Sequence, residues 1–281
     1  MLGRHPQLYG FPELNLFLTE TIGELWSLRK TLVSCRSSYE TGLIRVIAEL
    51  EFGGQTNETI QQASVWISQR SRWTTKQMFD ELLYRIKPKI GIDKSPRTSL
   101  SMRAVKRALS GYPNARLIHL TRHPISTLYS LQQNHIRSES GCVHPAKALW
   151  LFDFYARLWI HSQQLILSAL KMLDSSQKIH IRAEDLLIQP DAELRSLAEW
   201  LEVSADVKSI DSMKHPERSP YSKPAPMGLD GEGDALFMRS PCLRPYATPR
   251  RVLIPSEWSL DPQLVEKTDE LSNLLGYGSI C

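Results

Sequence analysis

The feature that most constrains this 281-residue chain is a strand that breaks directly into a helix. Arg116-Leu117-Ile118-His119-Leu120-Thr121 reads as a short, largely apolar strand, and Arg122-His123-Pro124 turns it into a helical pattern running to about Ile136. Pro124 suits the first helical turn, where its missing N–H is no loss. The same grammar recurs on either side. Lys89-Ile90-Gly91-Ile92-Asp93 is a strand followed by Lys94-Ser95-Pro96-Arg97-Thr98 and a helix from about Ser99 to Leu109; Lys178-Ile179-His180-Ile181 precedes a helix from about Asp191 to Leu201. Strands that alternate with helices pair in parallel, so the pattern predicts an α/β fold with a central parallel sheet.

Upstream, apolar residues at three- and four-residue intervals predict helices over Glu13–Leu32, Gly42–Phe52, Thr59–Gln69 and Thr75–Ile86. A long helix is expected from about Pro145 to Leu173 and a last one from about Pro262 to Leu275. Between Asp211 and Pro255 the chain concentrates eight of its 17 prolines together with Gly228, Gly231 and Gly233, which forbids long regular structure. This stretch is either a linker or an ordered active-site loop, and Tyr221, Phe237 and Tyr246 favour the loop.

Composition narrows the function classes. With 34 Lys+Arg against 30 Asp+Glu, the small positive excess and the lack of a strongly basic run point to local sites for a small anion rather than to nucleic acid. Cys35, Cys142, Cys242 and Cys281 are scattered, with no CxxC pair, so neither a zinc site nor a disulfide framework is expected. No segment approaches the ~20 apolar residues of a membrane span, and no apolar leader opens the sequence, so the expected compartment is the cytoplasm.

The strand ends carry the chemistry. Arg122 stands at a strand's carboxyl end beside a helix N-terminus, with Ser126 and Ser130 four apart on one helix face, which makes an anion site. A capped helix with a solvated arginine explains the same spacing. Lys94 and Ser95 place a second cation at the preceding strand end, unless Lys94 merely pairs with Asp93 or a nearby helix.

Taken in order, Asp93-Lys94-Ser95-Pro96, Leu120-Thr121-Arg122-His123-Pro124 with Tyr129-Ser130, and Ile181-Arg182-Ala183-Glu184-Asp185-Leu186 resemble the landmarks of sulfotransferases that use 3′-phosphoadenosine-5′-phosphosulfate (PAPS). With the segment His215-Pro216-Glu217-Arg218-Ser219-Pro220, the chain is most similar to the bacterial polyketide-pathway members and also resembles tyrosylprotein-type enzymes. The resemblance implies a P-loop-NTPase-like three-layer fold in one domain over residues 1–281, with a helical insertion at about 13–86. It implies PAPS as sulfuryl donor, no metal, and as acceptor a hydroxyl of a small metabolite or of an acyl chain on a carrier protein. Residue by residue, Arg122 and Ser130 would hold the 3′-phosphate, Lys94 would lie near the bridging or sulfonate oxygens, Ser95 would help bind the cofactor, and Glu13 would be the base. Glu13 reads equally well as a favourable first-turn glutamate of a helix, and His5, His119, His123 and His135 are rival bases, His119 reading rather as a satisfied core residue.

The family also begins with a strand and a phosphate loop of the form Arg-Ser-Gly-Ser/Thr-Thr, whereas here Leu2-Gly3-Arg4-His5-Pro6-Gln7-Leu8 reads as the end of the helix just after that loop. No GxxxxGK[ST] occurs elsewhere. Charge-assisted hydrogen bonds worth ~1.5–3 kcal/mol each would make such a loop worth roughly 5–10 kcal/mol, against about 8 kcal/mol for a micromolar complex. Three expectations result: an N-terminally truncated sulfotransferase whose start lies upstream or whose missing segment comes from another chain, a catalytically impaired remnant acting as a binding module or without function, or an unrelated α/β protein with an anion site.

Overall fold

A computed structural model describes residues 1–31, 39–138, 145–228, 240–244 and 261–280. Its first elements are β1 (Leu8–Gly10), α1 (Ile22–Thr31), α2 (Thr41–Phe52), α3 (Asn57–Ser68), α4 (Thr75–Arg85), β2 (Ile90–Ile92) and α5 (Met102–Gly111). Next come β3 (Leu117–Thr121), α6 (Pro124–Ser138), α7 (Pro145–Leu170), β4 (Lys178–Arg182) and α8 (Ala183–Ile188). α9 (Pro190–Trp200), α10 (Val207–Met213) and α11 (Pro262–Leu274) complete the order. The chain divides into two compact units: Met1–Asn114 with Pro190–Arg244, and Ala115–Gln189 with Pro245–Cys281.

In the first unit β1 and β2 pair in parallel, Leu8 opposite Ile90 and Gly10 opposite Ile92. Their faces are covered by the helices predicted from apolar spacing. Thr56 and Thr74 open α3 and α4 with capping boxes, each hydroxyl accepting the backbone N–H three residues on. Leu14, Leu16, Leu43, Ile47, Ile67, Met78 and Leu82 are fully buried together. Burying side chains of this size contributes about 1.5–3 kcal/mol each. An aromatic series runs through this core, Phe11 on Phe79, Phe79 on Phe17 and both on Tyr112, with ring centroids 5.2–6.0 Å apart. Gly91 lets it reach the strand, since a Cβ there would meet Phe11 Cε2 at 2.8 Å and Leu83 Cδ2 at 2.5 Å.

The second unit repeats the design. β3 and β4 pair in parallel from Leu117 opposite Lys178 to Thr121 opposite Arg182. Leu128 of α6, Phe152, Ala156, Trp159 and Ile160 of α7, and Leu264, Leu271 and Leu275 in or just after α11 form a separate core. Among the described residues no helix is long and apolar enough to cross a membrane.

Two expectations about elements need correction, and two short elements were not expected. The helix expected over Glu13–Leu32 does not start at Glu13: residues 11–15 are irregular, Asn15 turns left-handed at φ 54°, a 3₁₀ turn occupies Leu16–Leu18, and α1 begins only at Ile22. Asparagine tolerates that conformation by bonding locally, which apolar spacing does not register. β1 was hidden because three residues are too few for a strand period, and α8 because six are too few for a helical one. The loop expected from Asp211 starts inside α10 and contains 3₁₀ turns at Pro216–Arg218 and Pro226–Gly228. Its residues 229–239 and 245–255 lie outside the described ones. Of the cysteines only Cys242 is described, exposed and unbridged.

Candidate functional site

Parallel pairing sends β1 and β2 out of the sheet on the same edge, so the segments just beyond Gly10 and Ile92 must meet. Glu13 comes three residues after β1, and Asp93-Lys94-Ser95 continues directly from β2. The Lys94 ammonium is ion-paired with Glu13 Oε1; the glutamate side chain keeps 12% of its surface and the lysine 67%. This ion pair takes the place of the Lys94–Asp93 pairing that the sequence left open.

Asp93 and Ser95 knit the two exits together. Ser95 Oγ donates to Asp93 Oδ1 at 2.8 Å and accepts the backbone N–H of Asn15 at 2.9 Å, while Asp93 also accepts the backbone N–H of Leu14. Asp93 retains some surface as a residue, yet its carboxyl is enclosed by protein, and burial first of all pushes it up to about 6. Ser95, Leu14 and Lys94 pull it back down, and Glu13 pushes it further up. From the other side α2 supports the segment: a Cβ at Gly42 would lie 2.0 Å from the Glu13 carbonyl oxygen, so only glycine permits this approach.

In the second unit the parallel exits carry Arg122 and Glu184. Arg122 is exposed and Ser130 half-buried, and among the described residues neither side chain has a hydrogen-bond partner. The Glu184 carboxylate, buried in the first turn of α8, accepts the backbone N–H of His123 at 2.9 Å and the Tyr277 hydroxyl at 3.1 Å. That hydroxyl also meets Thr121 Oγ1 at 2.9 Å, which in turn lies 2.8 Å from His180 Nε2. Burial and the neighbouring Glu184 carboxylate raise the Tyr277 phenol, and burial lowers His119, His123 and His180, keeping all three imidazoles neutral near pH 7.

Three of the four rival bases are engaged by other contacts, while the His123 ring packs edge-on against Tyr277 with its buried Nδ1 unpartnered among the described residues. His5 is buried with Nε2 2.8 Å from the Ser204 carbonyl, His119 is buried 2.9 Å from Gln163 Oε1, and His135 Nδ1 lies 3.0 Å from the Tyr155 hydroxyl. The structure thus brings Glu13, Lys94 and Ser95 into one cluster and places Arg122 and Ser130 at the equivalent strand exit of the other unit. Asp93, Gly42, Glu184 and Tyr277 were not singled out by sequence. Asp93 and Glu184 stood inside the quoted motifs without roles, whereas nothing local marks Gly42 or Tyr277. Among the described residues no group of three or more His, Cys, Asp or Glu side chains is arranged to hold a metal ion.

A sulfotransferase-family sequence model matches residues 1–206. The chain is similar in structure to the sulfotransferase domain from the curacin biosynthetic pathway, with a TM-score of 0.75 at 20% identity over 99% of this chain and 92% of that one. It is likewise similar to the sulfotransferase domain of the Synechococcus PCC 7002 olefin synthase, with a TM-score of 0.71 at 22% identity over 96% and 87%. At such identities the likeness establishes the fold, a P-loop-NTPase-like α/β fold with parallel strands flanked by helices. No curated protein matches in sequence. With the matched model spanning well over half its length, the chain belongs to the sulfotransferase family.

Proposed function

We propose that this protein transfers a sulfuryl group from PAPS to a hydroxyl of a small metabolite or of an acyl chain carried on a carrier protein. The observation that carries the reading is the Glu13–Lys94 couple at the joined exits of β1 and β2. PAPS, when bound, would supply the sulfuryl group on a phosphosulfate anhydride. The residues suit an anionic donor: an exposed Arg122 guanidinium and the Ser130 hydroxyl on the following helix offer donors for the 3′-phosphate. Lys94, on a flexible and largely exposed stem, can move its ammonium from Glu13 to the sulfonate and bridging oxygens, where negative charge builds during transfer. Glu13, released from Lys94, takes the acceptor's proton as the new O–S bond forms and the S–O bond to the phosphate breaks. Ser95 holds the Lys94 turn in place through Asp93 and Asn15. The two similar domains come from a biosynthetic pathway and a synthase, which supports a carrier-bound or small-molecule acceptor.

The test is transfer of label from ³⁵S-PAPS by the full chain to a panel of hydroxylated small molecules and acylated carrier proteins, alongside calorimetry with adenosine 3′,5′-bisphosphate. Label transfer is expected, with Arg122→Ala weakening the bisphosphate at least ~10-fold, the loss of one charge-assisted contact. No transfer and no bisphosphate binding would overturn the proposal and favour a remnant that kept the fold without the donor site.

A further inference from the structure

The mechanism above uses Asp93 only as a partner of Ser95, although it is an enclosed carboxyl bonded to both segments that carry the reacting pair. Its position is unusual in a simple way. It directly precedes Lys94 in sequence, and it accepts the backbone N–H of Leu14, the residue directly after Glu13. Through Ser95 Oγ it also governs the next amide along, Asn15 N–H. Two consecutive amides after Glu13 are therefore fastened to the two residues flanking Lys94.

We infer that Asp93 is the positioning residue of the Glu13–Lys94 couple, fixing the β1 exit against the β2 exit so that ammonium and carboxylate face each other. The inference rests on the reading of that couple as the reacting pair. The ionised carboxylate can accept from Ser95 Oγ–H and Leu14 N–H at once. Protonated, it loses its charge and part of its acceptor capacity, so the bonds it accepts from Ser95 and Leu14 weaken and the fastening of Leu14 and Asn15 loosens. The charged groups that face it are Lys94, which favours the ionised form, and Glu13, which opposes it, while enclosure sets its transition at about 6. The couple is then held in register above that pH and released below it.

Two measurements on the full chain test this, and the first needs no activity. In ¹H–¹⁵N spectra the Leu14 and Asn15 amides of the native protein should titrate together with a midpoint near pH 6, and in Asp93→Asn that titration should vanish. In turnover, Asp93→Asn should lower kcat by ~10–100-fold, the effect of a small misplacement of reacting groups. KM for PAPS should stay unchanged and the acidic limb near pH 6 should be lost. Ser95→Ala, which removes the Asn15 fastening and the hydroxyl donor to Asp93 but leaves the Asp93 carboxylate and its Leu14 contact, should give a smaller loss of kcat and serves if Asp93→Asn does not fold. Amides of Leu14 and Asn15 that do not move between pH 5 and pH 8, or that move equally in Asp93→Asn, would overturn the inference. Unchanged turnover in Glu13→Gln would instead overturn the reading of the couple, and with it the purpose assigned to Asp93.

Discussion

Replacing Gly42 by alanine pits two physical effects against each other with opposite signs. Gly42 lies in the first turn of α2, and helix propensity alone predicts that alanine stabilises by up to about 1 kcal/mol. The local packing predicts the reverse. The added Cβ would stand 2.0 Å from the Glu13 carbonyl oxygen and 2.6 Å from its carbon, where ordinary contact begins near 3.4 Å. Neither neighbour is a flexible side-chain tip that could swing away. The Glu13 backbone or the start of α2 must therefore shift by more than an ångström, and forced overpacking of this kind costs about 1–3 kcal/mol. Net of propensity, urea unfolding followed by tryptophan fluorescence should show a loss of about 0.5–2 kcal/mol. Gly111→Ala in α5 is the control, because its Cβ would meet only Lys76 side-chain carbons at 3.8 Å and should be neutral or mildly stabilising. Since the shift acts on Glu13 itself, turnover should fall by ~100-fold, the size expected for an ångström of misplacement. Gly42→Ala as stable as the native protein, or more so, would refute the close approach and the support it gives Glu13.

Other expectations arise from the two strand exits. Asp93 is held at about 6 in the folded protein against an ordinary 3.8, so its protonated form favours folding. That contribution is fully present below about pH 4 and is lost as pH rises through 6, amounting to up to about 3 kcal/mol. The lowered histidines act in the other direction below their ordinary 6.5, so the stability difference between native protein and Asp93→Asn is the quantity to follow. A difference that is flat from pH 4 to pH 7 would contradict the enclosure of Asp93. Tyr277→Phe removes the hydroxyl shared by Glu184 and Thr121 and should cost about 1–2 kcal/mol in chemical denaturation; no loss would mean the hydroxyl is dispensable to the network. Glu184→Ala should speed hydrogen exchange at the His123 amide by ~10-fold or more, and unchanged protection there would show that another group caps the turn.

Much of the fold was legible because its helices are amphipathic and long enough to display their period: α2, α3, α4 and α11 fall within a few residues of the spacing that predicted them. Strand β3 announced itself through Leu117–Leu120, and Pro124 marked where α6 starts. The elements that escaped are set by longer-range causes. β1 exists because β2 offers it a parallel partner, which no window of three residues can reveal. The irregular path of residues 11–15 results from Asn15, the Asp93–Ser95 fastening and the room left by Gly42, one local and two distant. The types of the site residues could be read at the strand ends, whereas the Glu13–Lys94 contact depends on two exits, 81 positions apart, being brought to one edge.

The two units share a construction at their strand exits. In each, a carboxylate just beyond one parallel strand accepts a backbone N–H from just beyond its neighbour: Asp93 takes Leu14 N–H, and Glu184 takes His123 N–H. An amide exists at every non-proline position whatever the side chain, so this tie by itself demands an acceptor at 93 and 184 but no particular donor side chain; Leu14 is fixed instead by its burial in the core, and His123 is the freer of the two. The exits can thus change what they present to a ligand without losing their register. In a library randomised across both exits and selected for folding, the side chain at 123 should drift, that at 14 should stay apolar, and those at 93 and 184 should stay acidic or become amides. Variation of acceptor preference in such a scaffold would then accumulate around a fixed pair of knots.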